Sequence, residues 1–129
     1  MILAIKTDQP EATLVIVDRH NTIKYYRWLA DRTLADTLLA KIKQFLTAQR
    51  YTYSDITGII FFAGPGSFTG LRIGASVANT LAYGLDCPIV AAKSSNWLTI
   101  GLAKVKKQPV GQFVTPFYGA KLHITKPKR

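Results

Sequence analysis

Residues 56–70 read Ile-Thr-Gly-Ile-Ile-Phe-Phe-Ala-Gly-Pro-Gly-Ser-Phe-Thr-Gly, an unbroken apolar run that leads into a glycine-rich turn. A continuous apolar run of this length predicts a strand that is buried on both faces, as in a parallel sheet. Residues 69–83 follow with helical spacing, and Gly84 is placed to end that helix as its C-cap. The centre of the chain is therefore predicted to be a strand, a tight loop and a helix.

The segment before this unit contains three short β-rich runs and then one helical pattern. The runs are separated by brief polar turns, which predicts an antiparallel meander. In the third run, Ile23, Tyr25 and Arg27 should lie on one face, and Lys24, Tyr26 and Trp28 on the other. The helix should begin with Asp31 or Thr33 as its cap and end near Gln49. The three runs are residues 2–5, 12–17 and 22–28.

The segment after the central helix repeats the strand-helix pattern. Residues 88–92 predict another buried strand, and Ser94 or Ser95 can cap a third helix that runs to about Ala103. The whole order is β-β-β-α-β-α-β-α, which predicts an α/β fold with a mixed five-stranded sheet and crossover helices. This is the order of a ribonuclease H-like half-domain.

Composition excludes several classes of protein. The 129 residues are one domain's worth, and 48% are apolar, enough for a sizeable core. One cysteine, Cys87, excludes an internal disulfide and the common cysteine-rich zinc sites, and only two histidines are present. No apolar run is long enough for a membrane span, and the start lacks the pattern of a signal peptide, so we expect a cytoplasmic protein.

The net charge of +10 is concentrated near the carboxyl end. Residues 1–86 carry nine basic and seven acidic side chains, whereas residues 87–129 carry eight basic and no acidic ones. Such an asymmetry favours a polyanionic partner, nucleic acid or an acidic protein surface, although a solvated basic tail would also fit. Contact with tRNA through this basic third is one hypothesis.

The loop at residues 64–70 has two interpretations. Glycines between a strand and a helix can bring backbone amides close to an anion. The spacing matches neither a Walker loop nor a dinucleotide fingerprint, and Ser67 lacks the flanking glycines of a nucleophile elbow. A rigid turn that caps the helix is the simpler interpretation.

The helix after the loop carries small residues every fourth position: Gly70, Gly74, Ala78 and Ala82. Small residues let another helix approach closely, which predicts a partner interface. Packing against the chain's own helix or sheet would produce the same pattern. The candidate interface residues on this helix are Gly70, Leu71, Gly74, Ala75, Ala78 and Ala82.

Carboxylate chemistry is poorly supported. The first strand ends with Lys6, where a ribonuclease H-like enzyme usually places a metal-binding acid. Asp8 would share that strand face only if the strand continued so far. The remaining candidate acids fall at turns or helix starts, where capping explains them, and we expect neither a metal nor a cofactor. These acids are Asp18, Asp31, Asp55 and Asp86.

Residues 64–74, Gly-Pro-Gly-Ser-Phe-Thr-Gly-Leu-Arg-Ile-Gly, resemble the signature of the TsaB (YeaZ) family. The resemblance covers about residues 1–103. It implies one lobe of an actin-like fold and a non-catalytic scaffold for tRNA threonylcarbamoyladenosine synthesis. It also implies a TsaD-like catalytic partner, a TsaE-like ATPase, and a partner face built from helices 34–48 and 69–83, which adds Leu38 and Ile42 of the first helix to the candidate interface residues. The signature loop comprises Gly64, Pro65, Gly66, Ser67, Phe68, Thr69, Gly70 and Arg72.

Two departures from the family pattern shape the remaining expectations. The first strand ends Lys6-Thr7-Asp8 where the family commonly has Asp-Thr-Ser, which argues against ATP or metal there. Residues 1–108 are expected to form the lobe, and residues 109–129 a basic C-terminal extension, with the second lobe absent. A residual nucleotide-binding or hydrolytic enzyme and a homodimer remain as alternatives.

Overall fold

A computed structural model describes residues 1–117 of the chain. The carboxyl-terminal part of the predicted extension, residues 118–129, lies outside the described residues. The predicted element order is confirmed. The five strands are β1 (Ile2–Lys6), β2 (Glu11–Val17), β3 (Ile23–Leu29), β4 (Gly58–Phe62) and β5 (Ile89–Ala92). The three α-helices are α1 (Leu34–Ala48), α2 (Phe68–Leu85) and α3 (Trp97–Val105).

The strands form one mixed sheet in the order β3-β2-β1-β4-β5. β1, β2 and β3 pair antiparallel, and β1, β4 and β5 pair parallel. All five residues of β4 are buried, as expected of a parallel strand that is covered on both faces. The carboxyl ends of β1, β4 and β5 therefore meet at one edge of the sheet.

The helices cover opposite faces of this sheet. α2 packs on the face that carries Phe61, since a Cβ at Gly74 would contact that ring. α3 packs on the face that carries Ile60, which a Cβ at Gly101 would contact. α1 lies beside α2, and its Phe45 ring stacks on Tyr26 of β3 at 5.6 Å between centroids. The predicted division of β3 into two faces is thus confirmed.

The helix boundaries correct two predicted caps and confirm the position of a third. α2 continues past Gly84 to Leu85, and its C-cap is Asp86, whose φ of 54° is left-handed. Thr33, one of the two predicted candidates, is the N-cap residue of α1, but its side chain accepts no helix amide and its hydroxyl donates to the Ala30 carbonyl. α3 begins after Asn96 rather than after Ser94 or Ser95.

Residues 109–117, called the strap below, pack against the lobe. The Asn79 side chain accepts from the Val114 amide at 2.8 Å and donates to the Val114 carbonyl at 2.9 Å. The Phe117 amide donates to the Ala63 carbonyl at 2.7 Å, just beyond the end of β4. Val114 and Pro116 are buried. Within residues 1–117, no helix is long and apolar enough to cross a membrane.

Candidate functional site

The glycine-rich loop holds the end of β1. The Ser67 amide donates to the Asp8 carbonyl at 2.8 Å, and the Thr7 hydroxyl donates to the Gly70 carbonyl at 2.7 Å. A Cβ at Gly66 would overlap Asp8, and a Cβ at Gly70 would overlap the Thr7 carbonyl oxygen. These glycines are required because two backbones approach closely, and the loop acts as a structural clamp.

Two of the loop amides that an anion could use already have partners within the chain. The Ser67 amide is bonded to Asp8, and the Gly70 amide donates to the Ser67 hydroxyl at 3.3 Å, which caps α2. Gly64 has a φ of 124°, a conformation that favours glycine. Pro65, Thr69 and Arg72 are exposed around this clamp, as is Phe68, whose ring lies 5.4 Å from the Arg72 guanidinium. The geometry favours the rigid-turn interpretation over anion binding.

The small-residue stripe of α2 faces the interior of this chain. At Gly74 the helix meets the Thr7 hydroxyl and the Phe61 ring, and Ala78 is completely buried. The assignment of the stripe to a partner surface is therefore corrected. Helical periodicity identifies which face is buried but not what buries it, and here the chain's own sheet does so. Leu38, Ile42, Leu71, Gly74, Ala75, Ala78 and Ala82 are buried core residues, and Gly70 is half-buried.

The opposite face of α2 is exposed and almost uncharged. Among the 18 residues of this helix, Arg72 is the one charged side chain. Charged residues are depleted in the cores of protein interfaces, whereas solvated helix faces usually carry several. This outer face, together with the exposed Leu39 of α1, is the candidate partner face. Its α2 residues are Thr69, Arg72, Ile73, Ser76, Val77, Thr80 and Tyr83.

The carboxyl end of β1 holds an internal ion pair. The Lys6 ammonium lies 2.7 Å from a carboxylate oxygen of Asp8, whose side chain is only 6% exposed. The same ammonium lies 4.7 Å from the centroid of the Phe62 ring. Asp8 thus lies near the expected position of a metal-binding acid, but the Lys6 ammonium neutralises the charge of its carboxylate.

Two of the other acids, Asp18 and Asp55, serve turns, as predicted. The Asp18 carboxylate accepts from the amides of His20 and Thr22, and these bonds, that of Thr22 above all, lower its pKa. The Asp55 carboxylate accepts from the Thr52 amide at 2.7 Å. Residues 1–117 contain no group of three or more His, Cys, Asp or Glu side chains placed to hold a metal ion.

Cys87 is a core residue, as predicted, and burial is the main cause that raises the pKa of its thiol. The neighbouring Asp86 carboxylate raises the pKa further. A thiol in this setting stays protonated and is a poor nucleophile. His20 is exposed in a turn.

Comparison with known proteins decides the family. The sequence model described as "TsaD: tRNA N6-adenosine threonylcarbamoyltransferase" matches residues 28–114. The TsaB protein of Escherichia coli K12, named for tRNA threonylcarbamoyladenosine biosynthesis, is 33% identical over 93 residues, which cover 72% of this chain and 40% of the relative. The TsaB protein of Bacillus subtilis 168 is 31% identical over 93 residues, 72% of this chain and 41% of the relative. The chain belongs to the TsaB (YeaZ) family.

A solved structure supports the same assignment. YeaZ from Pseudomonas aeruginosa superposes with a TM-score of 0.67 at 27% identity, covering 71% of this chain and 43% of that one. The TsaB-like chain described here thus spans about two fifths of the curated TsaB relatives that it matches. A threonylcarbamoyltransferase of Vesicomyosocius okutanii is also 33% identical over 86 residues, 67% of this chain and 25% of the relative.

Sequence analysis missed the outer face of this TsaB-family helix. Ser76 and Thr80 are polar, so a search for apolar or glycine periodicity passes over them. The available signal was the scarcity of charge: an 18-residue surface helix with a single charged side chain. The Lys6–Asp8 pair was also missed, because the two side chains meet through the turn after β1 and not along a strand.

Proposed function

We propose that this chain is a non-catalytic scaffold subunit in tRNA threonylcarbamoyladenosine synthesis that pairs with a TsaD-like catalytic protein. Family membership supports the pathway, since the curated TsaB relatives are named for it. The single observation that carries the pairing is the scarcity of charge on the outer face of α2, where Arg72 is the one charged side chain. Its small side chains, such as Ser76 and Thr80, leave room for a partner helix at close range.

The enzymatic alternative receives no support from the site. Two-metal hydrolysis needs several convergent carboxylates, and at the end of β1 the buried Asp8 carboxylate is paired with Lys6. The Ser67 hydroxyl accepts from the Gly70 amide at 3.3 Å, and His20, the histidine within residues 1–117, is exposed in the turn after β2. The proposed role is therefore assembly rather than catalysis.

The test is the mass of the complex by light scattering, with the chain alone and mixed with the TsaD-like protein of the same organism. Ser76→Arg and Thr80→Arg place a long cation on the outer face, where folding should be unaffected. Thr99→Arg makes the same kind of change on the exposed side of α3, across the sheet. A charge at the buried Ala78 would instead test folding.

We expect a one-to-one complex with the wild type and with Thr99→Arg, and loss of that complex with Ser76→Arg or Thr80→Arg. A complex that survives both outer-face changes, or that Thr99→Arg removes equally, would refute the proposed face. If the chain alone forms a dimer through the same face, adding the TsaD-like protein should dissolve it.

Two further partners belong to this proposal. A TsaE-like ATPase should add its mass to the one-to-one complex in the same experiment. The basic residues after Cys87 should assist tRNA binding by neutralising phosphates, so tRNA affinity of the complex should fall as salt rises. An affinity that does not change with salt would contradict the tRNA contact.

A further inference from the structure

A cavity of about 490 Å³ lies at the carboxyl ends of β4 and β5, between α3 and the strap. Its walls include Ala92, Ile100 and Pro116, and its polar side chains come from Lys93, Lys104 and Thr115. Sites for small molecules commonly have volumes of roughly 300–1,000 Å³. In open α/β sheets, ligands also bind beyond the carboxyl ends of the parallel strands.

The two lysines at this cavity are held by uncharged groups. The Lys93 ammonium lies 3.8 Å from the centroid of the Phe117 ring. The Lys104 ammonium donates to the Ala91 carbonyl at 2.8 Å. Each ammonium has three N–H donors, so these contacts fix its position while leaving its charge and further donors for a ligand.

None of the residues that line this cavity is acidic, so the lining supplies no counter-charge for these lysines. Residues 87–117 carry four lysines and no acidic side chain. Within residues 1–117 the one ion pair is Lys6–Asp8, and the Thr115 hydroxyl makes no hydrogen bond in that part of the chain. Two cations and a free hydroxyl thus line one cavity that has apolar walls.

We propose that this cavity binds a phosphate ester, with Lys93 and Lys104 on the phosphate oxygens and the organic group against the apolar wall. Lysine ammonium groups bind phosphate as point charges. Two lysines match the charge of a phosphate monoester, about −1.5 to −2 at neutral pH. The ester can be a free small molecule or a phosphate of a nucleic acid, whose backbone diester carries a single negative charge. This cavity is separate from the proposed partner face on α2, and binding of the ester does not depend on that face.

The probe is phenyl phosphate, titrated into the full chain while amide resonances are followed by NMR. We expect shifts concentrated at Lys93, Lys104 and Thr115, and none there with benzyl alcohol, which lacks the phosphate. Lys93→Gln and Lys104→Gln should each weaken binding at least about 10-fold, the loss expected for one charge-assisted hydrogen bond. Lys43→Gln, a change of equal charge at an exposed position of α1, should leave the affinity unchanged.

The proposal would be overturned by any of three results: amide shifts that spread over the whole surface, an equal loss of affinity in Lys43→Gln, or no binding of phenyl phosphate. A short single-stranded RNA then identifies the source of the ester. If the RNA displaces phenyl phosphate, the natural ligand is a nucleic-acid phosphate. If phenyl phosphate stays bound in the presence of the RNA, the natural ligand is a free small ester. Light scattering with the TsaD-like protein separates this inference from the proposed function, because Lys93→Gln should keep the complex that Ser76→Arg loses.

Discussion

At Gly70 the backbone of α2 lies against the Thr7 carbonyl oxygen, with no room for a Cβ between them. Gly66 meets Asp8 and Gly74 meets the Thr7 side chain in the same way. Three glycines of the family signature thus serve one purpose, the attachment of the loop and helix to the end of β1. At these three positions the close approach of the end of β1 requires glycine. At Lys6 and Asp8 the opposite charges of the two side chains hold them together.

Gly70→Ala should lower the free energy of unfolding by about 1–3 kcal/mol, because the added methyl group forces backbone apart. Gly84→Ala, in the same helix, meets nothing within 4 Å and should raise stability by about 0.5–1 kcal/mol. Urea unfolding of both variants measures the difference. Equal effects of the two changes would contradict the clamp.

Lys6→Met should lower the free energy of unfolding by about 1.5–3 kcal/mol, because it leaves the buried Asp8 carboxylate without its charged partner. The double variant Lys6→Met, Asp8→Asn removes both charges and should recover most of that loss. A double-mutant cycle by urea unfolding gives the coupling free energy. A double variant no more stable than Lys6→Met would show that the pair is not coupled.

At the scale of elements, α2 has two faces with different tasks. The inner face packs on β1 and β4 through small residues, while the side chains that the outer face presents to solvent are neutral except for Arg72. Between these faces, Asn79 binds the strap through both its amide oxygen and its amide nitrogen. The helix therefore positions the strap, which forms one wall of the cavity beside α3.

Asn79→Ala should release the strap, because it removes two hydrogen bonds to Val114. We expect a loss of about 1–3 kcal/mol in the free energy of unfolding and faster hydrogen exchange at the amides of Val114 and Phe117. Thr80→Ala is the neighbouring control, since the Thr80 hydroxyl bonds only within α2. Unchanged exchange at Val114 in Asn79→Ala would show that other contacts hold the strap.

At the scale of the whole molecule, one core joins all five strands to helices on both faces of the sheet. The buried cluster includes Leu14 of β2, Cys87, Val105 at the end of α3 and Val114 of the strap. Cys87 lies between α2 and β5 and lines a pocket together with residues 110–113 of the strap, so its exposure requires these elements to move apart. Its thiol can report on the opening of the lobe.

Native Cys87 should react with Ellman's reagent at least about 100-fold more slowly than the unfolded chain, because burial shields the thiol and raises its pKa. The native rate should increase with pH, since thiolate is the reacting form. It should also rise with urea in parallel with global unfolding measured by circular dichroism. A rate that does not respond to urea would instead indicate a local opening beside Cys87, between α2, β5 and the strap.

The sequence by itself determined the order of elements, the two faces of β3, the buried run of β4 and the family signature. These features follow from local periodicity and short motifs, which depend only on residues that are close together in the sequence. Only the tertiary structure decided that Gly74 and Ala78 face the chain's own sheet, because a buried stripe looks the same whatever covers it. Only the tertiary structure showed that Lys93, Lys104 and Thr115 line one cavity at the carboxyl ends of β4 and β5. These residues are far apart along the chain, so no local sequence pattern predicts that they lie close together.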